Sequence, residues 1–388
     1  MSKVLNIGIE AQRIFRKKRY GMDIVAIETI KALQQIDTVN QYYIFSRVGE
    51  KSVEDIFPDL NDNFHFVLFG SGDYVTWEQF LLPKKIQDYD LDLLHCTANT
   101  APLKLKVPLY LLLHDIIYLE KLYFNKGSWY QRLGNLYRSV IVPKIVPRAK
   151  RIGTVSNYER QKIIAEFNLD EEIIQTYHNA YSDHFRLISK DDKKLLAVKK
   201  EHKLPEDFLL LFFNEDPRKN FVKAIEAYIS LRRAGLTIPL CILNASTSRV
   251  KHFFDRNNAA QYWQDVICIS YLDNSELVYF YNLAKVFLFI STRESFGIPV
   301  LEAMASGTPV ITSNSSSLPE VAGDAALKVD PDNVEEIAEA LELLLTNQDK
   351  HLTLTKAGFE RVKQFSWQAT AQKWLNTYKA IARETVLP

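Results

Sequence analysis

Short apolar runs alternate along this chain with longer segments in which apolar residues recur every three or four positions. Residues 4–9, 42–48, 64–69, 91–96, 109–113 and 152–155 are runs of the first kind, of a length that suits buried strands. Between them, 22–33, 77–86, 129–141 and 159–167 carry helical spacing, with Pro143 and Pro147 expected to interrupt or divide the third. Strands that alternate with helices predict a parallel sheet covered on its faces. From about 179 to 203 the apolar spacing weakens and charges gather in SDHFRLISKDDKK, which reads as a connection between domains, with the boundary near 185. The alternation then restarts, with strands predicted over 208–213, 239–243, 266–270, 286–290, 309–312 and 326–329. Helices are predicted over 220–233, 275–283, 301–306 and 334–345. Two amphipathic segments, near 351–365 and 367–382, have no partner strand, and one of them is expected to pack back on the first domain.

The chain has 388 residues, 47% hydrophobic and 12% aromatic, enough to fill two cores, so domains over 1–185 and 186–365 are expected, with the helix at about 366–388 returning to the first. A formal net charge of +1 gives no global attraction to nucleic acid or to an anionic membrane. Cys96, Cys241 and Cys268 lie in apolar surroundings without metal-ligand spacing, and an odd number of them reads as buried thiols of a reducing compartment. No charged and then apolar leader precedes the first strand, and no apolar run reaches the ~20 residues of a membrane span, so a cytoplasmic protein is expected. Charge is uneven locally: residues 121–158 hold eight basic residues and no acidic one. With Tyr123, Phe124, Trp129, Tyr130 and Tyr137 interleaved, 121–151 suits peripheral contact with an anionic bilayer or a lipid diphosphate, and equally a solvated helix face with its aromatics in the core. Nothing in it matches a nucleic-acid-binding motif, so no nucleic-acid partner is expected.

Candidate chemistry gathers at predicted strand ends. Glu294 follows the run 286–290, and Glu302 falls in the helix that Gly297 and Pro299 introduce. Open parallel sheets bind ligands beyond the carboxyl ends of their strands, where carboxylates accept hydrogen bonds from sugar hydroxyls. Arg218 and Lys219, in FNEDPRKN after the run 208–213, suit a diphosphate at the same edge. His114 and Asp115 follow the run 109–113 in the first domain, and Gly21 follows a basic run at the predicted start of a helix, where a phosphate or an acceptor would meet a helix N-terminus. Each has a blander reading: a solvated turn for the Arg-Lys pair, a helix-dipole partner for Glu302, a satisfied loop residue for His114. Asp90-Leu91-Asp92 looks like a metal-binding DxD but precedes its strand, at the amino edge of the sheet, and no His, Cys and carboxylate cluster suggests a metal.

The stretch STRESFGIPVLEAMASGTPVITSNSSSLPEVAGDAALKVDP resembles the E-x7-E signature of glycosyltransferase family 4, the retaining group 1 glycosyltransferases with the GT-B fold. PRKN at 217–220, HD at 114–115, TVSNYER at 154–160, HNA at 178–180 and YLDNSELVYFYNLAKVFLFIS at 271–291 match in the same order. The resemblance implies an α/β chain of two Rossmann-like doubly wound domains facing a central cleft, the first on the acceptor side and the second binding a nucleotide sugar. It implies that Glu302 binds the ribose hydroxyls, that Glu294 and the backbone of Phe296, Gly297 and Ile298 hold the hexose, that Arg218 and Lys219 bind the diphosphate, and that His114 approaches the transferred sugar. A hexose would move with retention of configuration, without a required metal or any cofactor, and by front-face departure of the diphosphate, whose own oxygen can help deprotonate the acceptor, so that no dedicated protein base is needed. The glycine usual before PRKN is replaced by Phe213 and Asn214, and the Gly-rich loop of the first domain is reduced to Gly21.

The expected function is therefore transfer of a hexose from a nucleotide sugar to a saccharide or polyprenyl-diphosphate-linked acceptor in cell-surface glycan synthesis, at the inner face of the plasma membrane if 121–151 binds it. GDP-mannose is the preferred donor, because SLPEVAGDAALKVDP resembles mannosyltransferases, and UDP-glucose is the next. Two alternatives remain: a sugar- or lipid-surface-binding module on the same fold, and a glycoside hydrolase using Glu294 and Glu302, which would have no use for the Arg-Lys pair.

Overall fold

The computed structural model describes residues 3–17, 19, 21–70, 72–120, 129–270, 272 and 275–386. Residues 121–128 of the basic segment, with Lys121, Tyr123, Phe124 and Lys126, lie outside the described residues, as do the side chains of Trp129 and Tyr130. Two compact units form: Met1–Asn179 together with Ser366–Pro388, and Ala180–Phe365.

Unit 1 is built on seven parallel strands: β1 Asn6–Glu10, β2 Gln41–Ser46, β3 Phe64–Leu68, β4 Leu93–Cys96, β5 Leu109–Leu112, β6 Arg151–Thr154 and β7 Ile174–Thr176. Their order is β3-β2-β1-β4-β5-β6-β7, so the direction of winding reverses between β1 and β4. β4 and β5 are buried at every position, as the near-continuous apolar runs require when helices cover both faces. Trp77, fully buried in a π-helical turn, donates its indole N–H to Phe69 O at 2.9 Å. The helix Trp129–Ile145 continues through Pro143 instead of breaking there. The ring of Pro143 is exposed and near the helix end, so little hydrogen bonding is lost, and Pro147 sits in the following turn, Val146–Arg148. Of the two terminal helices, Gln348–Val362 stays in unit 2 and Trp367–Val386 joins unit 1. The latter buries Trp374, Tyr378 and Ile381, pairs Tyr378 Oη with His95 Nδ1 at 2.8 Å, and donates from Thr370 Oγ1 to His178 O at 2.5 Å.

Unit 2 holds six parallel strands, β8 Leu209–Phe212, β9 Leu240–Leu243, β10 Val266–Ile269, β11 Val286–Phe289, β12 Val310–Ser313 and β13 Ala326–Val329, in the order β10-β9-β8-β11-β12-β13. Winding reverses between β8 and β11. Leu209, Leu211, Ile242, Val286, Leu288 and Ile311 form the middle of its core. Three α-helices of this unit were not predicted, one of them the short Leu318–Ala322. Lys193–Glu201 lies inside the stretch read as a connection; Asp192 caps it, accepting from Lys194 N and Leu195 N at 2.9 Å, and it buries only Leu195 and Val198. Thr247–Arg256 buries only Val250 and Phe254.

Candidate functional site

At the winding reversal of unit 2, two loops are tied together. After β8 the chain makes a single turn, Pro217–Lys219, because Asp216 accepts from Arg218 N at 3.0 Å and Asn220 then takes a left-handed conformation. Asn220 Nδ2 donates to Pro331 O at 2.6 Å, which fixes the end of that turn. After β11, Thr292 N donates to Arg218 O at 2.8 Å, and Lys219 Nζ meets Glu294 Oε1 at 2.6 Å. Glu294 is positioned from the next strand connection as well: its amide donates to Ser316 Oγ at 3.0 Å, and Ser317 Oγ donates to Glu294 O at 3.0 Å and to Phe296 O at 2.8 Å.

Gly297 begins the helix Ile298–Ala305 with φ of +112°, and a Cβ there would lie 2.5 Å from Leu318 Cδ2. Only glycine fits that backbone and that space. The helix carries Glu302, whose Oε2 accepts from Tyr281 Oη at 3.1 Å. Burial pushes the Glu302 carboxyl up to about 7, against the Tyr281 hydrogen bond, which lowers it. Arg218 is gripped by Asp216, with Nε 3.1 and 3.0 Å from its two oxygens and Nη2 at 2.5 Å. Burial raises the Asp216 carboxyl, but the Arg218 hydrogen bonds and charge more than offset this and leave it below the usual carboxylate range. Both cations are thus held by carboxylates, Arg218 by Asp216 and Lys219 by Glu294. A cavity of about 760 Å³, lined by Phe213, Asp216, Phe221, Arg249 and Phe253 among others, adjoins the same turn without including Arg218, Lys219, Glu294 or Glu302.

Seven of the nine sequence-predicted residues therefore lie at one edge of unit 2: Lys219 and Glu294 in contact, Arg218 joined through Thr292, and Phe296, Gly297, Ile298 and Glu302 on the loop and helix that follow. His114 and Gly21 lie in unit 1. His114 is buried beyond β5, with Nε2 2.8 Å from Thr97 O and its amide donating to Asn99 Oδ1 at 2.6 Å. Burial lowers the pKa of its imidazole, and the Thr97 hydrogen bond only partly opposes this, so the ring is neutral and Nδ1 is left as an acceptor. Gly21 opens the helix Gly21–Ile36, and a Cβ on it would meet nothing within 4 Å.

Asp216, Asn220, Tyr281, Ser316 and Ser317 were missed by sequence reasoning; only Asp216, an acid just before a Pro at a helix start, carried a local signal. Asp92 of the DxD accepts from Asn6 N at 2.9 Å and from Lys3 Nζ at 2.5 Å, fastening the amino edge of β1. Contrary to the expectation of no His and carboxylate cluster, Glu201, His202 and Glu276 place ligand atoms within 4.8 Å of one another; Glu276 comes from a distant segment, so no spacing reveals the group, and Glu201 is exposed.

Residues 192–361 match the model of the family described as glycosyl transferases group 1, and all seven edge residues fall within them. The chain carries a domain of the group 1 glycosyl transferases. The O-antigen chain mannosyltransferase B of Escherichia coli is 32% identical to it over 237 residues, which are 60% of this chain and 61% of that protein. The chain thus spans about three fifths of the length of this relative. The crystal structure of Anabaena Alr3699/HepE in complex with UDP-glucose superposes with a TM-score of 0.73 at 15% identity, over 97% of this chain and 100% of that one. That of WaaG, a glycosyltransferase involved in lipopolysaccharide biosynthesis, gives 0.71 at 14%, over 96% and 99%. These likenesses show the fold: GT-B, with the group 1 domain as the six-stranded unit and the seven-stranded unit completing the pair.

Proposed function

We propose that the chain is a retaining glycosyltransferase that moves a hexose from a nucleotide sugar to a saccharide or lipid-linked saccharide acceptor in cell-surface glycan synthesis. The observation that carries this reading is the 2.6 Å contact of Lys219 with Glu294, which brings a cation pair suited to a diphosphate against a loop suited to sugar hydroxyls. The donor diphosphate takes Arg218 and Lys219 from Asp216 and Glu294. Glu294 and the backbone of Phe296, Gly297 and Ile298 then hold the hexose, and Glu302 holds the ribose. As the bond from the anomeric carbon to the diphosphate breaks, its electron pair stays on the phosphate oxygen, where the two cations offset the charge. The acceptor hydroxyl forms the new bond on the same face and gives its proton to the departing diphosphate. His114 would accept a sugar hydroxyl at Nδ1. The nucleotide sugar is a substrate in this scheme, and no cofactor or metal ion is assigned.

Mannose from GDP-mannose is the first choice of donor, supported by the name of the Escherichia coli relative, and glucose from UDP-glucose is the second, supported by the ligand of the Anabaena structure. Peripheral membrane contact is part of the proposal. In the helix Trp129–Ile145, Leu133, Leu136 and Val140 are 45%, 52% and 46% exposed and lie with the exposed Lys144 within an arc of about 80°. An apolar row beside a cation suits the boundary of an anionic bilayer. Among the described residues, no helix is long and apolar enough to cross a membrane.

The deciding experiment offers purified protein GDP-mannose, UDP-glucose, UDP-galactose and UDP-N-acetylglucosamine, with Glu302→Ala as control. Binding and turnover of one donor, lost in the variant, is the expected result. Failure of every donor with folded protein would leave a binding module, and release of sugar from a plain glycoside without nucleotide would indicate a hydrolase.

A further inference from the structure

A histidine and two carboxylates that the donor edge does not use come together elsewhere in unit 2. The helix Lys193–Glu201 ends at His202, whose amide donates to Val198 O at 3.0 Å, and the chain then turns through Lys203 with φ of +52°. Leu204 N closes the turn on Lys199 O at 2.9 Å. The His202 ring is thereby held against the helix Leu277–Leu283, with its centroid 5.1 Å from that of the buried Phe280 ring. The far end of that helix is fastened as well: Asn282 Nδ2 donates to Arg186 O at 2.9 Å, and Asn282 Oδ1 accepts from Ile188 N at 2.7 Å. Glu276 precedes the helix, and its side chain makes no capping hydrogen bond. Glu201, His202 and Glu276 meet as a result, with ligand atoms within 4.8 Å of one another.

The group does not satisfy itself. His202 Nε2 is buried and has no hydrogen-bond partner, although buried polar atoms are ordinarily paired. Among the described residues, no cation forms an ion pair with Glu201 or Glu276. Glu201 also stands at a helix C-terminus, where the unpaired carbonyls disfavour negative charge. A cation is therefore what the three side chains lack. An imidazole nitrogen among carboxylate oxygens suits a zinc-type ion, whereas Mg²⁺ and Ca²⁺ take oxygen alone. Ligand atoms on a tetrahedral zinc ion are ~3.4 Å apart for bonds of ~2.1 Å, and the exposed Glu201 can swing in by the distance that remains. We infer that Glu201, His202 and Glu276 form a binding site for a divalent cation of the zinc type, with water completing its coordination. The ion fastens the end of the helix Lys193–Glu201, which buries only Leu195 and Val198, to the start of the helix Leu277–Leu283. It has no part in sugar transfer, and the assignment stands apart from the transferase reading.

The test uses the full chain, treated with a chelator that is then removed, and Zn²⁺ and Co²⁺ as the probes. Calorimetric titration should show one Zn²⁺ taken up per chain, and Co²⁺ should develop the visible absorption of a protein-bound ion. Zn²⁺ should raise the melting temperature and slow amide hydrogen exchange over 193–204 and 277–283. His202→Ala should weaken Zn²⁺ binding tenfold or more and abolish both effects, while His252→Ala, at an exposed histidine outside the group, should change neither. Equal Zn²⁺ binding by the parent and His202→Ala would overturn the inference. Displacement of Zn²⁺ by an equal concentration of Mg²⁺ would do the same, since it marks a patch of carboxylates alone, and so would a failure to take up either probe ion. Should His202→Ala not fold, Glu276→Gln is read in the same way.

Discussion

Glu302 is a carboxyl whose ionisation is poised near neutrality by burial, and this has two measurable effects. If it accepts donor hydroxyls as a carboxylate, nucleotide-sugar affinity should fall up to about tenfold from pH 8 to pH 6, since about a tenth of the group stays ionised one unit below its pKa of about 7. Calorimetric titration at both pH values checks this, and Glu302→Gln should abolish the dependence. Stability runs the other way. The folded protein holds this proton between about 4.5 and 7 while the unfolded chain releases it, so stability falls as pH rises through that window. The same sign holds for Glu78, pushed up to about 8 by burial. Melting temperatures of Glu302→Gln should therefore gain on the parent protein between pH 5 and pH 8. Arg218→Ala should lower turnover about 10²-fold or more if its charge acts on the departing diphosphate, and unchanged turnover would remove that role. Glu294, Arg218 and Lys219 were legible in the sequence because each stands just beyond an apolar run, and Glu302 because Gly297 and Pro299 mark the start of its helix. Tyr281 and Ser317 were not, since what they touch is decided by helix packing and by a neighbouring strand connection.

The helix Ile298–Ala305 depends on its first residue. Gly297→Ala would force a side chain into a backbone region costing about 1–2 kcal/mol and against the fully buried Leu318. A melting temperature lower by a few degrees, together with weaker donor binding, is the expected outcome of a thermal scan and a titration. That helix, its glycine and both flanking strands could be read from the sequence, since a buried parallel strand is an unbroken apolar run with Gly and Pro as punctuation. What stayed hidden was short or thinly buried. β7 spans three residues at the sheet edge, and Lys193–Glu201 and Thr247–Arg256 each bury two side chains, too few to raise a periodic signal above the charges around them. Pro143 misled for a related reason: the rule against proline in helices concerns a lost hydrogen bond and a clash, and near an exposed helix end the loss is small.

At the scale of the molecule, the exposed face of the helix Trp129–Ile145 is a sharper target than its charges. Arg138 already donates to Asn135 Oδ1 at 2.6 Å and lies 5.5 Å from the centroid of the Tyr118 ring. Leu133→Ser with Leu136→Ser should reduce sedimentation with anionic vesicles several-fold and leave donor binding unchanged; equal sedimentation would make the row a merely solvated face. The other large-scale feature is the return of Trp367–Val386 to the first sheet. Trp374→Ala should cost unit 1 about 3–5 kcal/mol in chemical denaturation, because that ring is fully buried beside His95. Because the segment arrives only after 180–365 has been made, the group 1 domain is in effect an insertion within unit 1. On the ribosome its two ends can meet and its core can close while the surrounding unit still waits for its last helix. The order of synthesis is thus not the order of completion: β1–β7 are made before the group 1 domain, yet the sheet they build gains the cover of Trp374 only after it, and until then the seat of that ring stays bare.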